Sequence, residues 1–247
     1  MKGIIDSAPD ISKIDVTPTG YSTTVLAANG EETATLVGQG ANRQYVTIDE
    51  IPLDLQHAFV AIEDERFYDH NGIDLHGIGR AFISGLSKGR FSEGASTITQ
   101  QLIKNNVLTS WTSETSFVEK LQRKIQEQYL ALELEKQVKD KDWILENYMN
   151  SVNLGANTLG VQAASKKYFN KDVSELTLSE ASVIAGITQN PSGYNPITHP
   201  DKNAKRREKV LNNMKDQAIS PRPNMMRPWP MMSTQELLST TPQAQAL

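Results

Sequence analysis

FVEKLQRKIQEQYLAL, residues 117–132, decides the class of this fold. Phe117, Leu121, Ile125, Tyr129 and Leu132 recur three and four apart, the period of a helix that buries one stripe, and no strand alternation fits the run. The same period extends in both directions, from Ile51 to about Gln217. Leu55, Phe59 and Ile62 form an earlier stripe, and Trp143, Ile144, Asn147 and Tyr148 share a face in a later segment. Thr177-Leu178-Ser179-Glu180 matches a capping box at the start of LTLSEASVIAGI, and Asn190-Pro191-Ser192-Gly193 ends that element in a turn. The beginning of the chain departs from the pattern. Residues 1–19, with Pro9 and Pro18, suit a polar, extended lead-in. YSTTVLAANGEETATLV (21–37) reads as a β-hairpin around Asn29-Gly30, the pair a type I′ turn favours. The expected class is mostly α with one small N-terminal hairpin, and no internal repeat suggests a solenoid.

Composition narrows the function classes. The chain has 247 residues, enough for one sizeable core, and a net charge of −4 gives no electrostatic footprint for nucleic acid. It contains no cysteine, which excludes disulfides and thiolate-bound zinc, and its four histidines (His57, His70, His76, His199) have no metal-ligand spacing. No run approaches the roughly 18 apolar residues of a spanning helix, and the first ten residues lack the core of a signal peptide.

Three polar stretches remain to be explained. In AIEDERFYDH (61–70), Glu63 follows the apolar stripe ending at Ile62 and precedes Phe67. A solvated helix end is the plain reading; a carboxylate at the edge of an apolar surface, suited to proton transfer, is the alternative. EGASTITQQLIKNN (93–106) has helical spacing but places Ser96, Thr97, Thr99, Gln100 and Gln101 where a surface helix would carry lysine and glutamate. Hydroxyls and amides beside Lys104 suit a cleft for a polyhydroxylated or phosphorylated ligand, since they bind without the desolvation cost of full charges. In QRKIQEQYLALELE (122–135), Arg123 or Lys124 could pair with Glu127 within one helix turn. Taken with Glu63, Glu127 supplies a second carboxylate of the kind used in acid and base chemistry at a sugar centre.

In this order the three blocks resemble the peptidoglycan glycosyltransferases (glycosyltransferase family 51), the polymerising domain of class A penicillin-binding proteins and of monofunctional transglycosylases. The first motif of that family appears as Glu63, Asp64, Phe67, His70 and Gly72. The second appears as Gly94, Ser96, Thr97, Ile98, Thr99, Gln100, Gln101, Leu102 and Lys104, and the third as Arg123, Lys124 and Glu127. ILENYMNSVNLG (144–155), GVQAASKKYF (160–169) and residues 176–196 resemble the remaining blocks, so the resemblance covers about residues 50–217. Gln126 departs from it, standing where many relatives carry a basic residue.

The resemblance implies a lysozyme-like glycosyltransferase fold over residues 51–217, after a lead-in and hairpin in residues 1–50. It implies polymerisation of lipid II onto a growing glycan strand, with inversion at the N-acetylmuramic acid anomeric carbon and release of undecaprenyl diphosphate. By the same resemblance Glu63 is the general base and Glu127 the second catalytic carboxylate. Asp64, Phe67, His70, Ser96, Thr97, Gln100, Gln101, Lys104, Asn105, Arg123 and Lys124 are expected to bind substrate. A divalent metal, Mg or Mn, could assist at the diphosphate; no organic cofactor and no nucleic acid partner are expected. GIGRAFISGLSKGRF (77–91) sets Phe82, Ile83, Leu86 and Phe91 among Arg80, Lys88 and Arg90. It reads either as a core segment or, as in the family, as a mobile surface that contacts the bacterial membrane. The basic run Lys202, Lys205, Arg206, Arg207 and Lys209 reads as a solvated helical face.

A lytic transglycosylase or lysozyme-type hydrolase is the nearest rival, although it has no need to recognise a diphosphate. A non-catalytic descendant would be expected to have lost its carboxylates. The family also implies work at the outer face of the cytoplasmic membrane, with an N-terminal anchoring helix absent from this chain. Residues 218–247 are expected to be a disordered or frameshifted tail. Four of the seven methionines and four of the eleven prolines fall between Pro221 and Met232. With suitable synonymous codons, the neighbouring frame encodes an acidic, amphipathic stretch like the one that follows this domain in class A penicillin-binding proteins. On that reading residues 221–247 are not native, and a transpeptidase domain was encoded downstream.

Overall fold

A computed structural model describes residues 2–13, 15–30, 32–36, 43–88, 96–108 and 114–219. The side chains of 82–88, Gly94 of the second motif and the tail from Ser220 lie outside that description, and with them the expected membrane surface and frameshift. In chain order the helices are α1 (Lys2–Asp6), α2 (Leu53–Glu63), α3 (Leu75–Lys88), α4 (Ile98–Asn106), α5 (Phe117–Val138), α6 (Lys141–Ser151), α7 (Val161–Phe169), α8 (Leu178–Ile187) and α9 (Pro200–Ile219). Two strands, β1 (Thr23–Leu26) and β2 (Glu32–Leu36), form the only sheet among the described residues. The fold is mostly α, as the periodicity predicts. No helix among the described residues is long and apolar enough to cross a membrane. The chain forms two compact units, Met1–Thr19 with Arg66–Ser151 and Gly20–Glu65 with Val152–Leu247.

In the first unit α4 packs on α5 and α6. Its core includes Phe67, Ile98, Leu102, Ile103, Leu130, Leu134, Ile144, Leu145, Tyr148 and Met149. Each such side chain contributes about 1.5–3 kcal/mol when removed from water. α5 is a helix as expected, started by a capping box of Ser116 and Glu119. Its buried face is not the stripe read from the sequence. Phe117 and Leu121 are 79% and 50% exposed, while Glu127, Leu130, Ala131, Leu134 and Glu135 face inward. The apolar period misleads here because two positions of the true inner face are carboxylates with partners.

The lead-in is not simply extended. It forms α1 and a short 3₁₀ turn at Ile11–Lys13, with Ile11 and Val16 buried. The Gln126 amide donates to the Ile4 carbonyl and the Ser7 hydroxyl, both at 3.2 Å, and Asn106 donates to the Val16 carbonyl at 2.9 Å. Those contacts tie the lead-in to α5 and to the end of α4.

In the second unit α2 is buried from Leu55 to Ala61 on every side rather than along one stripe, and it packs against α8 and α9. Asn213 and Gln217 both donate to the Ala61 carbonyl at 3.0 Å, satisfying one acceptor that the last turn of α2 leaves open. The Thr177–Glu180 capping box and the Asn190–Gly193 turn are present as read. The basic run divides: Lys202, Lys205 and Lys209 are exposed, whereas Arg207 is buried and reaches the Ser179 hydroxyl at 3.3 Å. The hairpin also differs in detail. Gly30 donates to the Ala27 carbonyl at 2.9 Å and has φ +86°, but Asn29 has no positive φ. The turn is therefore not type I′, which needs both central residues left-handed. The Val25↔Ala34 and Leu26↔Glu32 pairing accommodates the longer connection with an irregularity.

Asp74 fixes the start of α3. It accepts from the Gly77 amide at 2.9 Å and pairs with the Arg66 guanidinium at 3.2 and 2.5 Å. Burial pushes its carboxyl up, but the hydrogen bonds from Arg66 and Gly77 and the charges of Arg66 and His70 hold it below the ordinary 3.8. A folded-state pKa below the unfolded one stabilises the fold above the ordinary carboxylate range. That stability is lost as pH falls through the depressed value. Asp74→Asn should cost about 2 kcal/mol at neutral pH. Its denaturation midpoint, followed by circular dichroism, should also fall less steeply than the wild type's as pH drops below about 4.

Candidate functional site

Gly72 joins the first and second motifs. Its carbonyl accepts the Thr97 hydroxyl at 2.7 Å and the Gln100 amide at 3.3 Å. Its own N–H donates to Nδ1 of His70 at 3.2 Å, which puts the proton of a neutral ring on Nε2. Thr97 also caps α4 by accepting the Gln100 N–H at 3.2 Å. Gly72 has φ +88°, and a Cβ there would lie 2.6 Å from the backbone carbonyl oxygen of Ala131 in α5. Only glycine fits this approach.

The third motif adjoins the second through Lys124. Its ammonium donates to Ser96 at 2.6 Å, to Gln100 Oε1 at 3.0 Å and to Glu127 Oε2 at 2.8 Å, which uses all three donors. Arg123 pairs with the other oxygen of Glu127 and spans both oxygens of Glu114 through Nε at 2.8 and 2.9 Å. Both intrahelical pairs suggested by the spacing therefore form at once, around a carboxylate only 2% exposed. Burial works against the charge of Arg123, but Glu114 and Glu127 more than offset it and hold its pKa above the ordinary range. No three acidic or histidine side chains among the described residues converge on one point. With Glu127 committed to two cations, this donor set does not suit a divalent ion.

The rest of the polar block looks inward. Thr99 donates to Glu135 at 2.5 Å, Glu135 pairs with Lys141 at 2.6 Å, and Lys141 stands 4.6 Å over the Phe67 ring. Gln101 accepts the Tyr148 hydroxyl at 3.2 Å. Lys104 and Asn105 are half-buried at the end of α4.

In the second unit Glu63 is the last residue of α2 and is half-buried. Buried Asp64 caps that helix through its N–H on the Val60 carbonyl at 2.9 Å. The Thr188 hydroxyl, just past α8, donates to Oε1 of Glu63.

A family model described as transglycosylase matches residues 29–215. This chain belongs to the transglycosylase family. It is 45% identical over 196 residues to penicillin-binding protein 1F of Bacillus subtilis, covering 79% of this chain and 26% of that protein. It is 40% identical to penicillin-binding protein 1A/1B of the same organism, covering 87% of this chain and 22% of that protein. It is 42% identical to penicillin-binding protein 1A of Escherichia coli, covering 85% and 23%. The chain thus spans about a quarter of the length of these relatives.

Burial sorts the transglycosylase motif residues into two kinds. His70, Ser96, Gln101, Lys104, Asn105, Arg123, Lys124 and Glu63 retain accessible surface. Phe67, Thr97 and Gln100 have essentially none. Asp64 and Glu127 are also buried. Sequence reasoning missed Glu114, Glu135, Lys141 and Thr188. Their partners lie up to 125 residues away, and no local pattern marks them. Gly72→Ala should test the anchor: a left-handed β-carbon against backbone leaves nothing free to move. We expect a loss of about 3 kcal/mol or more in urea unfolding, or no folded protein.

Proposed function

We propose that this chain is a peptidoglycan glycosyltransferase that polymerises lipid II. The observation that carries the reading is the Lys124 ammonium joined to Ser96, Gln100 and Glu127, with Arg123 on the same carboxylate. It is a fixed set of cations, hydroxyls and amides of the kind that offsets charge developing on a diphosphate leaving group. Family membership supports the same reading.

In the proposed reaction Glu63 takes the proton of the acceptor's 4-hydroxyl as that oxygen bonds to the donor's anomeric carbon. The bond from that carbon to the diphosphate oxygen breaks, its electron pair leaves with undecaprenyl diphosphate, and the centre inverts. Ser96 accepts from Lys124, so its own proton can be offered to a phosphate or sugar oxygen. Lys104, Arg123 and Asn105 supply the remaining donors, Lys124 contributes its charge, and His70 and Gln101 can bind sugar. Glu127 acts by holding Arg123 and Lys124 in place. Charge compensation at the diphosphate falls to these protein cations. A membrane setting belongs to this proposal: action at the outer face of the bacterial cytoplasmic membrane, with an N-terminal anchor and a transpeptidase domain in the native protein.

The test is incubation with labelled lipid II. Glu63→Gln should abolish glycan formation while leaving the fold intact, because it removes the proton acceptor and keeps the volume. A variant that keeps most of its rate would remove Glu63 from the base role. Wild-type protein that leaves lipid II unpolymerised but solubilises sacculi would be a hydrolase instead. Glu127→Gln should cost about 2–3 kcal/mol, since it removes the buried charge that Arg123 and Lys124 share, although Arg123 keeps Glu114 and Lys124 keeps Ser96 and Gln100. It should also lose turnover at temperatures where it remains folded, and normal turnover there would leave Glu127 a purely structural residue.

A further inference from the structure

The Thr188 hydroxyl has two acceptors within reach. One is the Ala185 carbonyl of its own helix at 3.0 Å, and the other is Oε1 of Glu63, 125 residues earlier in the chain. A threonine at a helix end ordinarily bonds back to a carbonyl one turn earlier. Here the hydroxyl also faces α2, and it has a single proton to give. An ionised carboxylate is a stronger acceptor than a neutral carbonyl, so while Glu63 is charged that proton belongs to Glu63. The backbone beneath Glu63 is held independently, by Asn213 and Gln217 on the Ala61 carbonyl.

We propose that Thr188 is a positioning residue for Glu63, an inference that rests on the base role proposed above. A glutamate side chain at the end of a helix has three torsions to fix, and one hydrogen bond at Oε1 selects among its rotamers. The carboxylate is then presented in one orientation to the acceptor's hydroxyl. Thr188 neither gains nor loses a proton overall. Once Glu63 is protonated, the hydroxyl of Thr188 can turn its proton to the Ala185 carbonyl and accept from the new carboxylic acid. The second acceptor therefore lets Thr188 serve both protonation states of the base.

Thr188→Val keeps the shape and β-branching and removes the hydroxyl, whereas Thr188→Ser keeps the hydroxyl. Both are compared with wild type and Glu63→Gln in the full chain, by lipid II polymerisation and thermal melting. The expected result is a fall in kcat of about tenfold for Thr188→Val, with KM within about twofold. Its Tm should stay within about 3 °C of wild type. Thr188→Ser should recover most of the rate. If Thr188→Val turns over like wild type while Glu63→Gln is inactive, the positioning role is overturned and the proposed function stands. A serine variant as slow as the valine one, or a valine loss lying in KM or in the folded fraction, assigns Thr188 a structural part and equally overturns the inference. An active Glu63→Gln variant removes the base reading, and the role of Thr188 goes with it.

Discussion

The contact of Gly72 with the α5 backbone at Ala131 is the constraint on which the first unit's polar architecture depends. Because no side chain intervenes, the Gly72 carbonyl comes close enough to take both the Thr97 hydroxyl and the Gln100 amide. Thr97 can then cap α4, and Gln100 is turned so that its carbonyl oxygen meets Lys124. A larger residue at position 72 would push its own backbone away from α5 and disturb each of these bonds in turn. The glycine is thus required by packing rather than by any chemistry of its own, and three motifs far apart in sequence share one joint.

Around that joint the site relies on buried charge, which is costly unless every partner is present. Glu127 meets that condition with two cations, one of which also has two neutral acceptors. Such a cluster contributes little net stability compared with an apolar core of equal volume, but it is pre-ordered. Its dipoles and charges need no reorganisation when negative charge develops nearby, and this is where electrostatic catalysis gains most. The arrangement also explains why the polar block of α4 avoids lysine and glutamate at Thr97, Thr99 and Gln100. Those positions are inside, and a free charge there would have no counterion.

The helical class, the capping box at Thr177 and the turn at Asn190 were legible because each is set by residues within four of one another. The inner face of α5 was not. An apolar stripe marks burial only where the interior is apolar, and here Glu127 and Glu135 occupy two of the inward positions. The turn at Asn29-Gly30 was misread for a related reason: the dipeptide permits a type I′ turn, but the connection is longer, and only Gly30 needs the left-handed region. The partners of the motif residues were invisible for want of range. Thr188 and Glu63, 125 residues apart, meet through tertiary packing that no window of sequence contains. Their identities are nonetheless unsurprising once seen, since each contact pairs a donor with a carboxylate.

What distinguishes Glu63 from an ordinary helix-end carboxylate is how little freedom its surroundings leave. α2 is enclosed for most of its length, so its register against α8 and α9 is fixed by packing and not by polar contacts. The Ala61 carbonyl, which could fray toward water, is taken by two amides of α9. The carboxylate itself is met by a hydroxyl of the residue capping α8. Helix, final turn and side chain are thus held in turn by α8 and α9 together, by α9 and by the cap of α8. A solvated helix end would need none of these restraints, and each costs ordering entropy that exposure would have spared. That two helices and the cap of one of them converge on one glutamate is the physical argument that its position, and not merely its charge, matters.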